Sequence, residues 1–152
     1  MKLLYLNLGG CNGCDIELLA GVVRVMEKIG RELPNPDHGI RSRSYDITIV
    51  TGPGTLGNLC RIIRDLEKIG GEVDLGHVIV LGSCACGGGI WYDSYMVCGG
   101  WDMFLSELVS RGFKIRYRSV TYVTGCPVRP EDVEKVLVQL LHSYPNLISS
   151  LT

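Results

Sequence analysis

Seven of the 152 residues are cysteines, and four of them share one sequence context. LLYLNLGG leads into Cys11 and Cys14, HVIVLGS into Cys84, and SVTYVTG into Cys126. Each run is apolar and strand-like, and each is followed by a Gly- or Pro-marked turn. If the runs are parallel strands, their carboxyl ends lie along one edge of a sheet, the place where open α/β sheets bind ligands. Four thiols delivered to that edge converge on a point able to hold a soft metal centre. Taken alone, Cys11-Asn12-Gly13-Cys14 between a strand and a helix reads as a thioredoxin-type redox pair, its thiolates stabilised by the helix N-terminus. It reads equally as half of a zinc site, although structural zinc favours two close pairs and Cys84 and Cys126 have no matching C-x-x-C. A ferredoxin-type run of closely spaced cysteines is absent. At this point Fe–S, zinc and dithiol chemistry all remain open.

The elements that must position these thiols alternate. Leu3 to Leu8 reads as a buried strand. From Cys14 to Ile29 apolar residues recur at helical spacing, and Pro34 and Pro36 then mark a loop. Asp46 to Thr51 is a second strand, followed by the turn Gly52-Pro53-Gly54-Thr55 and a helix from about Leu56 to Ile69. His77 to Leu81 is a third strand. Gly82 to Gly100 is a long, Gly-rich loop bearing Trp91, Tyr92 and Tyr95, and loops of that length inside compact domains usually serve function. A helix follows over Trp101 to Ser110, a fourth strand over Arg118 to Thr124, and a last helix opens at Pro130 and runs to about His142. This alternation predicts a right-handed parallel α/β sheet, and the length suits a single domain over residues 1–152.

Composition narrows the function classes. The chain is 46% hydrophobic and 20% charged, with a net charge of -1, so no basic excess points to nucleic acid or an anionic membrane. An odd number of cysteines excludes a fully paired disulfide framework, and clustered cysteines in an α/β chain of this kind read as intracellular metal or redox sites. MKLLYLNL is too short for a signal peptide and runs into Gly9-Gly10-Cys11 without an A-x-A-like cleavage site. No apolar run reaches the roughly 18 residues of a membrane span. The Gly52 to Thr55 turn lacks the Lys of a P-loop and the spacing of a dinucleotide fingerprint, so no nucleotide is expected. Arg41, Arg43 and the Arg111 to Arg118 stretch read as solvated or partner-facing surface. Trp91, Tyr92 and Tyr95 favour a subunit contact. Cys60 reads as a small buried hydrophobe in its helix; Cys86, two residues from Cys84, competes with it as a metal ligand, and Cys98 lies in the aromatic loop.

The residues also match a family pattern. Cys11-Asn12-Gly13-Cys14-Asp15-Ile16-Glu17, Val50-Thr51-Gly52-Pro53, Gly82-Ser83-Cys84-Ala85 with Gly87-Gly88-Gly89, and Gly125-Cys126-Pro127 with Pro130 resemble the small subunit of [NiFe] hydrogenases. They equally resemble the homologous cluster-bearing subunit of NADH:quinone oxidoreductase (complex I). The resemblance implies a flavodoxin-like fold, helices on both faces of the sheet, and one [4Fe–4S] cluster held by Cys11, Cys14, Cys84 and Cys126. Complex I relatives carry two adjacent cysteines at the first site, whereas Asn12 and Gly13 separate them here, as in hydrogenases. The chain ends soon after the helix that follows Cys126, without the further cluster-binding domain of ordinary hydrogenase small subunits. In this it resembles the energy-converting, membrane-bound (group 4) hydrogenases, formate hydrogenlyase and ferredoxin-dependent types included.

What the resemblance implies for function is a non-catalytic electron-transfer subunit of an oxidoreductase complex. Single electrons would pass between a ferredoxin-like Fe–S subunit and the buried centre of a large [NiFe]-hydrogenase-like subunit. The subunit would be peripheral, on the cytoplasmic face of the cell membrane, tied to antiporter-like and anchor subunits through the complex. The same pattern would serve a quinone-reducing or sulfur-reducing relative, and from another class a zinc-stabilised interaction domain accounts for four thiols. Glu17, three residues after Cys14, is either a first-turn acid favoured by the helix dipole or, as the resemblance suggests, a proton relay near the cluster.

Overall fold

The structure is a computed structural model that describes residues 1–151. Four strands form its main sheet: β1 (Leu3–Asn7), β2 (Ile47–Thr51), β4 (His77–Leu81) and β6 (Ser119–Val123), hydrogen-bonded side by side in that order and all parallel. A short bridge at Asp37 lies beside β1 on its outer edge, Tyr5 N–H donating to Asp37 O and Asp37 N–H to Leu3 O. With that vestigial strand counted, the spatial order is 2-1-3-4-5, which is flavodoxin-like, and it reverses direction between β1 and β2. Every residue of β2 and β4 is buried, as expected of central parallel strands covered on both faces.

Alternation along the strands feeds two cores. Leu4, Leu6, Val50, Val78 and Val80 face one side, where they pack with Leu59, Ile62 and Leu66 of α2 (Leu56–Lys68) and Trp101, Phe104 and Leu108 of α4 (Trp101–Ser110). Leu3, Ile47, Ile49, Ile79 and Leu81 face the other, against Leu18 and Val25 of α1 (Gly13–Ile29) and Val133, Leu137 and Leu141 of α5 (Pro130–Ser143). The two helices on this second face pack closely because Gly21 of α1 lies under Val133; a Cβ at Gly21 would come within 2.6 Å of the Val133 Cβ. Ion pairs Arg24–Glu131 at 2.7 Å and Lys28–Glu134 at 3.1 Å run along the same seam.

The four expected strands and four expected helices are present with ends within two residues. Several elements go beyond the expectation. Residues 82–100 are not a continuous loop: α3 (Ser83–Gly87) and a single 3-10 turn (Gly89–Trp91) occupy its first half. Two three-residue strands, β3 (Glu72–Asp74) and β5 (Lys114–Arg116), pair in parallel as a second small sheet, and α6 (Pro145–Ser149) closes the described chain. Strands of three charged-flanked residues carry no readable alternation, so only their partner's approach makes them strands.

Candidate metal centre

Three strand ends deliver the four cysteines. After β1 the chain turns through Gly9 and Gly10, Asn12 takes a left-handed conformation (φ 68°), and α1 starts so that Cys14 is its second residue. After β4, Gly82 leads into α3, again with a cysteine, Cys84, at the second position. After β6, Gly125 precedes Cys126, whose bond to Pro127 is cis. All four thiol-bearing residues line one cavity of about 80 Å³, together with Gly10, Asp15, Thr51, Gly52, Ser83 and Pro127. Cys11 and Cys126 are exposed at its mouth, and Cys14 and Cys84 are partly buried. The four sequence-predicted cysteines are therefore brought to one place.

Backbone hydrogen bonds and two glycines hold the loops there. Gly82 N–H donates to Val123 O and Ser83 N–H to Gly125 O, each at 2.8 Å, which keeps the turns after β4 and β6 in register. The Ser83 hydroxyl donates to Gly125 O at 3.2 Å. Gly82 (φ +95°) and Gly89 (φ +57°) adopt a conformation that side chains resist, and a Cβ at either would stand 2.6 Å from the Cys14 Sγ or 2.8 Å from the Cys84 Sγ. The sulfurs thus lie against bare backbone.

A polar network that sequence reasoning missed fixes the first loop. Asn7, the last residue of β1, accepts the Gly9 and Gly10 amides on its Oδ1 at 2.8 and 3.0 Å and donates from Nδ2 to Asp15 Oδ2 at 2.7 Å. Thr51, the last residue of β2, donates to Asp15 Oδ1 at 2.8 Å, and the Tyr5 hydroxyl bonds to Thr51 at 3.0 Å. Burial and the neighbouring Asp15 carboxylate push the Tyr5 phenol well up from its usual range. The only sequence signal of this network is an Asn that interrupts an apolar strand at its last residue. Asp15, not Glu17, is the carboxylate in the cavity lining; Glu17 lies half-buried on α1, between exposed Ile16 and buried Leu18.

The thiols are mutually coupled. Burial raises Cys14, with the Val128 backbone amide opposing it and Cys11, Asp15 and Cys126 adding to it. Burial also raises Cys84, and then its neighbours Cys126, Cys11 and Cys14 do so. Thiolates gathered this way repel one another unless a cationic centre neutralises them. Among the described residues no group of three or more His, Cys, Asp or Glu side chains is arranged to hold a metal ion.

The remaining cysteines are elsewhere. The Cys86 thiol turns into the sheet, 3.7 Å from Val80 O and 3.8 Å from Val123 O, and burial pushes it up to about 11. Cys98 packs against the first core. Cys60 is exposed, contrary to the buried position expected of it, because Leu59, Ile62 and Leu66 define the inward face of α2 and Cys60 falls off that stripe. Of the Gly52 to Thr55 turn, Gly52 lines the cavity and the Thr55 hydroxyl accepts from Asn58 N–H to cap α2.

Known proteins show which family this chain belongs to. A probable membrane-bound hydrogenase subunit, mbhJ, of Pyrococcus furiosus is 31% identical over 147 residues, covering 95% of this chain and 75% of that one. Formate hydrogenlyase subunit 7 of Escherichia coli is 31% identical over 82% of this chain, which spans 42% of its length. An NADH-quinone oxidoreductase subunit of Heliobacterium modesticaldum is 34% identical over 78% of this chain and 58% of its own. Among solved structures, a chain of an NAD+-reducing [NiFe]-hydrogenase in the H2-reduced state shares the fold, with a TM-score of 0.56 at 16% identity over 95% of this chain and 96% of that one. Residues 11–140 match the family described as NADH ubiquinone oxidoreductase, 20 Kd subunit, and the chain belongs to that family.

Proposed function

We propose that this chain binds one [4Fe–4S] cluster through Cys11, Cys14, Cys84 and Cys126 and carries electrons within a membrane-associated, energy-converting [NiFe]-hydrogenase-type complex. One observation carries the reading: four cysteines from three separate strand ends line a single cavity at the carboxyl edge of the sheet. Tetrathiolate sets select zinc or Fe–S. Membership of the NADH ubiquinone oxidoreductase 20 Kd subunit family supports Fe–S over zinc. When bound, such a cluster takes up and releases single electrons, and the chain's contribution is ligation, burial and backbone donors near the sulfurs.

The surroundings of the cavity support membership in a larger assembly. Ile16 and Leu19 on α1 are 65% and 68% exposed, and Ile90 and Tyr95 beyond α3 are 80% and 89% exposed. Apolar surface flanking a metal cavity is suited to a covering subunit, here a large [NiFe]-hydrogenase-like subunit. A ferredoxin-like Fe–S subunit completes the wire, and antiporter-like and anchor subunits supply the membrane link. No helix among the described residues is long and apolar enough to cross a membrane, and the proposed place is the cytoplasmic face, held through partners. The names of the Pyrococcus and Escherichia relatives favour the hydrogenase reading, as does the separated Cys11/Cys14 pair; the Heliobacterium relative keeps a quinone-reducing or sulfur-reducing complex as the second reading. Glu17 is proposed as a proton relay at this interface, so Glu17→Gln should preserve iron content and slow turnover of the assembled complex.

Anaerobic reconstitution with iron and sulfide, followed by EPR of the reduced protein, tests the site. The expected result is about four irons and four sulfides per chain, loss of most of that iron on replacing any of the four cysteines with Ala, and full retention in Cys86→Ser and Cys98→Ser. Uptake of zinc with no iron or sulfide would establish the zinc-stabilised interaction domain instead.

A further inference from the structure

Arg61 stands out among the charged residues. It sits on α2, and its Nη2 donates to the Asn7 carbonyl at 3.1 Å, at the carboxyl end of β1. Its Nε is shielded from water and has no hydrogen-bond partner. Six ion pairs occur among the described residues, and none includes Arg61. A guanidinium stays charged at any accessible pH, and Asp65, one turn on along α2, pairs with Lys68 rather than with Arg61; a partly dehydrated cation without an ion-pair partner is destabilising. The fold therefore retains an unpaired positive charge at a specific place.

That place is the back of the four-cysteine cavity. Asn7, which accepts from Arg61 on its backbone, holds the Gly9 and Gly10 amides with its side chain, and Gly10 forms part of the cavity wall. Asp15, the carboxylate in the lining, already has both oxygens occupied by Thr51 and Asn7. Neutral donors leave the Asp15 charge intact, so Asp15 and the thiolates of a loaded site together make the cavity negative, and Arg61 is the cation behind its glycine turn.

We propose that Arg61 is the fixed countercharge of this cavity and raises the reduction potential of the group held there. The inference rests on the reading of the cavity as a [4Fe–4S] site. Reduction adds one negative charge, so a nearby cation stabilises the reduced form more than the oxidised form. At a part-dehydrated site, removing it changes the ratio of the two forms at a fixed potential by about tenfold.

The test is an EPR-monitored redox titration of the anaerobically reconstituted full chain, after iron and sulfide have been measured. Arg61→Gln keeps a donor for the Asn7 carbonyl and removes the charge; Arg61→Lys keeps the charge. A midpoint lowered in Arg61→Gln and restored in Arg61→Lys supports the proposal. An unchanged midpoint in an iron-replete Arg61→Gln overturns it and leaves the cluster reading standing, as does an equal drop in both variants, which marks a purely geometric role. If the wild type itself takes up no iron, the cluster reading is what has failed. Should Arg61→Gln not load, the loading itself decides: iron and sulfide retained in Arg61→Lys but lost in Arg61→Gln shows that the charge is what the site needs and supports the proposal, and loss in both variants marks a geometric role and overturns it.

Discussion

Cys86 lies two residues from a cavity-lining cysteine, yet its thiol points the other way, toward the Val80 and Val123 carbonyls. Burial raises it from 9.0 to about 11, so the folded state holds this proton more tightly than the unfolded state does. The stability that follows is fully present below pH 9 and is lost as pH rises through about 11. Denaturant midpoints of the wild type should therefore fall more steeply over that interval than those of Cys86→Ala. Thiolate is the species that alkylates, so iodoacetamide near neutral pH should label exposed Cys60 well before Cys86, as peptide mass spectrometry would read. The four cavity cysteines were legible in the sequence because each follows an apolar run. Asn7, Asp15 and Thr51 were not, because the hydrogen bond from Thr51 to Asp15 joins residues 36 apart and no local pattern encodes it. Cys60 was misplaced for a related reason: a cysteine fits either face of a helix, and its neighbours decide.

Among the elements, the α1–α5 seam is the most exacting. Gly21 sits mid-helix, where Ala is ordinarily better by about 1 kcal/mol, but an added Cβ would meet Val133 and, at 3.0 Å, the Pro130 carbonyl. Overpacking of this kind costs about 1–3 kcal/mol, so Gly21→Ala should lower stability in a chemical or thermal melt despite its higher helix propensity. Long periodic elements were readable almost to their ends: α4 and β4 begin and end where the residue pattern says. The pieces that escaped reading are those stabilised from outside. β3 and β5 are strands because they pair with each other. α3 is a single turn of Ser, Cys, Ala and Gly closed by the Gly88 amide on Cys84 O, a composition that favours no helix in isolation.

On the scale of the whole molecule, the exposed apolar side chains include a run just beyond α3, Ile90, Trp91, Tyr92, Tyr95 and Met96. Replacing Ile90 and Trp91, 80% and 50% exposed, with Ser should change the chain's own stability by no more than about 0.5 kcal/mol. The same replacement should abolish its co-purification with the proposed large subunit, a split that a melt and an affinity isolation would show together. The placement of the cysteines has one more consequence, for the order in which such a protein can be built. No two of the three cysteine-bearing turns are neighbours in sequence, so the ligand set does not exist until the sheet has formed. Cys11 and Cys126 then remain at the surface, which leaves a door through which a prosthetic group can enter the finished scaffold. The covering subunit that suits the flanking apolar surface would shut that door. Under the proposed function, maturation would run in one direction: fold, load, then cap, and a chain capped early would be sealed empty.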